Sequence, residues 1–122
     1  MMKVWREYSI TSPALQGGIS ASLAEWLRDK LQSLPPSTMT LETNVGGLDE
    51  AGTYSPDFDW AGMVATEFPD QQIRIHYLPP QGLDEAKTPY FVRLKIGGQE
   101  VLRAEVQAKR AGAWAIYEDS AA

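Results

Sequence analysis

The chain contains one histidine and no cysteine, and those two facts bound most of its possible chemistry. His76 is the natural candidate for a general base, because imidazole titrates near neutrality. It follows Arg74 at even spacing in an alternating segment, and a lone histidine on the polar side of a strand is also an ordinary surface arrangement. Thiol nucleophiles are excluded, and a zinc site would need carboxylates for nearly all of its ligands. Asp57-Phe58-Asp59-Trp60-Ala61-Gly62 resembles the start of a calcium loop. The fifth position, Ala61, has no side-chain oxygen, and the twelfth is Phe68, with Glu67 one residue short. The pairs Gly17-Gly18, Gly46-Gly47 and Gly97-Gly98 lack the spacing and the Lys-Ser/Thr of a phosphate loop, so they read as turns. No Gly-x-Ser-x-Gly elbow occurs. No cofactor, no metal and no catalytic role is expected.

Charge is distributed unevenly. Between Leu31 and Ile73 there are seven acids (Glu42, Asp49, Glu50, Asp57, Asp59, Glu67, Asp70) and no Lys or Arg, in a chain whose net charge is −5. The flanking thirds are close to balance. Such a stretch repels phosphate backbones and attracts basic surfaces. Seven carboxylates always contain some pair that could be drawn as a glycosidase-like acid and base, so a pair alone points nowhere. Asp57 and Asp59 suit the first turn of a helix, and Glu42 falls on the solvent side of a strand.

Aromatic residues are interleaved with these acids, and rings inside a charged rim are the makeup of many protein-binding patches. The expected partner-binding set is Asp49, Glu50, Tyr54, Asp57, Phe58, Asp59, Trp60, Glu67 and Asp70. The expected function is a small non-catalytic protein that blocks a basic surface of another protein, such as its nucleic-acid-binding face, in the manner of an inhibitor or immunity protein. Direct binding of nucleic acid or membrane is not expected. One alternative is a structural or assembly subunit forming a homodimer or larger homo-oligomer. Another is a small-ligand-binding or enzymatic roll-type domain, with His76, Tyr77 or Tyr90 at the mouth of a pocket.

With 122 residues and an ordinary share of apolar and charged types, the chain suits a single domain spanning 1–122. No window approaches the ~20 apolar residues of a membrane span. No apolar run follows Lys3 and Arg6, so no secretory signal is read there, and a cytoplasmic site is the expectation.

The elements that must position these residues follow from periodicity. Val4, Tyr8 and Ile10 alternate in a first strand over 3–10, and Thr11-Ser12-Pro13 breaks it. Ile19, Leu23, Trp26, Leu27, Leu31 and Leu34 form a helical stripe, with Ser22 and Glu25 at capping-box spacing, Ser20 as a competing cap and Pro35-Pro36 as the stop. Met39, Leu41, Thr43 and Val45 alternate in a second strand. The interval that follows is too long for a structureless loop. Ser55-Pro56-Asp57 marks a helix start, with Trp60, Val64 and Phe68 as its apolar stripe and a strand over 63–68 as the rival. Ile73, Ile75 and Tyr77 then open an antiparallel meander, ended in its first strand by Pro79-Pro80 and continued by Tyr90–Ile96, Leu102–Val106 and Ala113–Tyr117. At Gly97-Gly98 the pattern favours a three-residue loop including Gln99, because that sets Leu94 against Leu102 and Val92 against Ala104. The fold class is α+β: one long amphipathic helix and one short helix on a curved, mainly antiparallel sheet of about six strands.

Overall fold

The computed structural model describes residues 2–9, 18–45, 59–78, 89–110 and 112–120. They form β1 (Lys3–Ser9), α1 (Gly18–Ser33), β2 (Thr38–Thr43), α2 (Trp60–Glu67), β3 (Gln72–Tyr77), β4 (Phe91–Ile96), β5 (Gln99–Arg110) and β6 (Ala113–Ser120). The strands make one open mixed sheet in the order β1-β6-β5-β4-β2-β3. This is the expected α+β class, with one exception to the meander. β3 lies parallel to β2 at the sheet edge, while β4 pairs antiparallel with β2 on its other side. Parallel neighbours need a crossover, and α2 supplies it.

Both helices lie on the same side of the sheet. The stripe of α1 buries Leu23, Trp26, Leu27 and Leu31 against Leu94, Ala104, Val106 and Ile116, and Trp60, Met63 and Val64 of α2 extend the same core over Met39 and Leu41. Arg28 of α1 donates through Nε and Nη2 to the two carboxylate oxygens of Glu67 on α2, at 2.9 and 3.0 Å. Trp26 Nε1 (2.9 Å) and Lys30 Nζ (2.7 Å) both reach Glu118 Oε2 on β6, fixing α1 over that strand. Burial alone would raise the Glu118 carboxyl; the Lys30 and Trp26 hydrogen bonds and the Lys30 charge outweigh it and hold the pKa below the ordinary range.

Several local expectations are corrected. Ser22 is an interior helix residue and caps nothing. Its fully buried hydroxyl donates back to Ile19 O at 2.7 Å and accepts from Trp114 Nε1 at 2.9 Å, which satisfies two polar groups inside the core. In β1 the register slips between Val4 and Arg6, so Val4 is 47% exposed while Tyr8 is buried, and the alternation expected between them is broken at Trp5. The β4–β5 hairpin has the expected facing pairs, Leu94 with Leu102 and Val92 with Ala104. The means differ. The tip is a two-residue turn pairing Ile96 with Gln99, with φ of 61° at Gly97 and 81° at Gly98, and a register shift next to Lys95 restores the apolar alignment.

α2 is a helix, which disposes of the rival strand over 63–68. Asp59 is its N-cap, accepting from Gly62 N at 2.9 Å, and Phe68 is its C-cap just before Pro69. The features read at Thr11-Ser12-Pro13, Gly46-Gly47, Ser55-Pro56-Asp57 and Pro79-Pro80 lie outside the described residues.

Candidate functional site

Strand alternation sends one set of side chains under the helices and the other to the uncovered side of the sheet. On that uncovered side the register aligns His76, Glu42, Arg93, Arg103 and Asp119 in a row across β3, β2, β4, β5 and β6. A second row runs Arg74, Thr40, Lys95 and Glu100, and a third Phe91, Glu105, Tyr117 and Val4.

Glu42 is the centre of the best-defined cluster. Its side chain is 9% exposed, so it does not sit in solvent as its strand position suggested. Arg93 Nε donates to Oε1 at 2.5 Å, Lys95 Nζ lies 3.3 Å from the same oxygen, and His76 Nδ1 stands 3.1 Å from Oε2. Burial by itself would raise the Glu42 carboxyl. Hydrogen bonds from His76, Arg93 and Lys95, together with the Arg93 charge, outweigh burial and hold the pKa below the ordinary carboxylate range. Because its acceptor is a carboxylate, His76 Nδ1 carries the proton in this contact, which leaves Nε2 as the acceptor nitrogen of a neutral ring. The imidazole is 57% exposed.

The rest of this side continues the alternation. Arg103 Nε donates to Glu105 at 2.6 Å, and its Nη1 is 3.4 Å from Glu100. Arg93 and Arg103 oppose each other across β4 and β5, where like charges repel. Glu42 serves Arg93, Glu105 serves Arg103, Glu100 lies within 3.9 Å of both, and both guanidinium carbons lie over the buried Phe91 ring, 5.5 and 5.0 Å from its centroid. Lys109 lies over Tyr117 and bonds its hydroxyl.

Counted by sign, the surface divides at the β4/β5 boundary. β3, β2 and β4 present Arg74, Arg93 and Lys95, plus His76, against Glu42 alone; β5 and β6 present Glu100, Glu105 and Asp119 against Arg103 and Lys109.

Of the acidic set expected from sequence, Asp59, Trp60, Glu67 and Asp70 are described. Asp49, Glu50, Tyr54, Asp57 and Phe58 lie outside the described residues. Trp60 is fully buried and donates Nε1 to Val45 O at 2.8 Å, so its ring belongs to the core and offers no surface to a partner. Asp59 is engaged as a helix cap, Glu67 is tied to Arg28, and Asp70 is exposed in the turn after α2. Among the described residues no group of three or more His, Asp or Glu converges as a metal set, and no helix is long and apolar enough to cross a membrane. Tyr90, named as a pocket-mouth residue, is 51% exposed beside β4, and Tyr77 is half-buried on the helix side of β3.

No family model matches the chain, and no curated protein or solved structure does so either.

Proposed function

We propose that the chain is a non-catalytic binding protein that seats an acidic macromolecular partner on the β3-β2-β4 side of its uncovered sheet surface. The observation that carries this reading is the cluster of His76, Arg93 and Lys95 around one carboxylate, with Arg74 two residues along β3 from His76, on the side of the sheet that the described helices leave open. Arg93, which also lies 3.9 Å from Glu100, and Lys95 are 26% and 31% exposed at the side chain, so Lys95 in particular can meet a further carboxylate without abandoning Glu42. Fixed side chains of this kind steer association and set orientation. A protein of this size acts most simply by occupation, covering acidic groups that its partner needs elsewhere.

This reverses the sign expected from the sequence. Of the described acids of the middle third, Asp59, Glu67 and Glu42 serve the fold through a cap, an interhelix ion pair and a buried cluster, Asp70 alone is exposed without such a role, and it is the flanking thirds that supply the cations.

The test is capture from a lysate of the native host with the wild-type chain and with an Arg74→Glu/Lys95→Gln variant. An acidic protein retained by the wild type, lost by the variant and released at about 1 M salt, where the Debye length is ~3 Å, supports the reading. Equal retention by both chains refutes it.

A further inference from the structure

β3 closes the sheet on one side, and among the described residues no strand pairs with its outer edge. Which backbone groups that edge presents follows from two hydrogen bonds. Gln72 N donates to Ser37 O at 3.2 Å and Leu78 N donates to Thr43 O at 2.9 Å, so both residues turn their main-chain groups toward β2. A strand reverses that direction at every residue. Arg74 and His76 therefore also bond inward, and the N–H and C=O groups of Ile73 and Ile75 point outward.

Edge strands in soluble proteins are usually blunted by a bulge, a proline, an inward-pointing charge or a covering segment. β3 runs Gln72-Ile73-Arg74-Ile75-His76-Tyr77 in unbroken register with β2, without proline. Its basic side chains are Arg74 and His76, both exposed on the uncovered side; Ile73 and Ile75 face the helix side and pack against the core. Among the described residues, the stretch at Ile73 and Ile75 is thus a hydrogen-bonding template with one basic flank and one apolar flank.

We propose that the outer edge of β3 receives an extended segment of another protein as an added strand, and that this segment alternates acidic and apolar residues. Main-chain pairing with Ile73 and Ile75 would supply affinity, and the two flanks would supply specificity, as in other cases of strand addition. Alternate side chains of the incoming strand lie beside Arg74 and His76, where carboxylates suit them, with Lys95 two strands further in. The intervening side chains lie beside Ile73 and Ile75 and next to α2, where apolar groups extend the core. The inference rests on the basic-surface reading above and adds to it a docking mode.

The experiment uses the full chain, isotopically labelled for amide exchange, and a short capped peptide alternating glutamate and valine. In the free protein the Ile73 and Ile75 amides should exchange faster than those of Arg74 and His76. Saturating peptide should slow Ile73 and Ile75 by about tenfold or more and leave Arg74 and His76 nearly unchanged. Arg74→Glu, an exposed site, should weaken peptide binding by about tenfold. A peptide N-methylated at alternate amides keeps its charge and loses the ladder, so it should bind far more weakly. If the N-methylated peptide binds as well as its parent, the added strand is refuted while the basic-surface reading survives. Strand addition is equally refuted if the parent peptide fails to bind, or binds without protecting Ile73 and Ile75. A lysine-valine peptide binding as tightly as the glutamate one refutes the acidic occupant.

Discussion

At one end of the sheet β1 breaks register at Trp5, and Arg6 lies over the indole, 4.3 Å from the ring centroid to the guanidinium carbon. Lys3, Arg6 and Glu7 mix signs along the same strand. At the other end β3 keeps an unbroken register and a single sign of charge. A bulge twists a strand and spoils its outer groups as a template, and mixed charges disfavour any one incoming sequence. The β1 edge therefore has the features of a strand finished against pairing, and the β3 edge lacks them. Edge protection is thus a local property, installed where pairing must be refused.

The largest effect on this contrast is expected from Trp60→Ala. Trp60 roots α2 under the β2–β3 pair, and a fully buried Trp replaced by Ala typically loses about 3–5 kcal/mol, read by urea denaturation. Amide protection should fall more in β2–β3 than in β1–β6; an even loss would mean that the two ends unfold as one.

Glu42→Gln comes next. It leaves Arg93 and Lys95 facing an amide where charge-assisted hydrogen bonds stood, at a cost of about 2 kcal/mol. The Glu42 pKa is depressed in the folded chain, so its contribution is full above the ordinary carboxylate pKa and disappears as pH falls through the lower folded value. The acid limb of a stability–pH curve should flatten in the variant.

At the opposite end, Tyr8→Phe removes the 2.7 Å hydrogen bond from Tyr8 to Glu25, a loss of about 1 kcal/mol near neutral pH. Burial, then the hydrogen bond and charge of Glu25, push the Tyr8 phenol up. The folded state thus keeps its proton when the unfolded chain, ionising near pH ~10, has lost it, and stability falls as pH rises past that point. Wild type should show this alkaline loss and Tyr8→Phe should lack most of it.

The smallest effect is expected for Gly62→Ala. In an exposed helix this change usually stabilises by up to ~1 kcal/mol. Here the new Cβ would collide with Asp59 Oδ2, so the carboxylate must swing away and the cap is lost, which costs about the same. Thermal denaturation should show little net change, and a clear gain would mean that the cap contributes nothing.

Much of this fold was legible in the sequence. The α1 stripe, the β2 alternation and the facing pairs of the β4–β5 hairpin follow from apolar spacing, because one buried face constrains every second or every third-to-fourth residue. The parallel placement of β3 was also within reach: a helix between two strands of one sheet implies a crossover, and a meander does not explain α2. The cluster at Glu42 was not legible. It needs β2 to lie between β3 and β4, and nothing in the spacing of Glu42, His76, Arg93 and Lys95 reveals which strands are neighbours. The bulge at Trp5 was hidden for a related reason, since Val4 and Tyr8 satisfy the alternation that the extra residue breaks.

The β4–β5 hairpin settles its length twice, once at the glycine tip and again at the irregularity beside Lys95. Its shank is thereby insulated from its end. A residue added between Ile96 and Gln99 would be expected to unsettle only the last few pairings, leaving Val92 and Ala104 in place, so the tip is the part of this molecule where a tag or spectroscopic reporter can be grafted with least disturbance to the sheet.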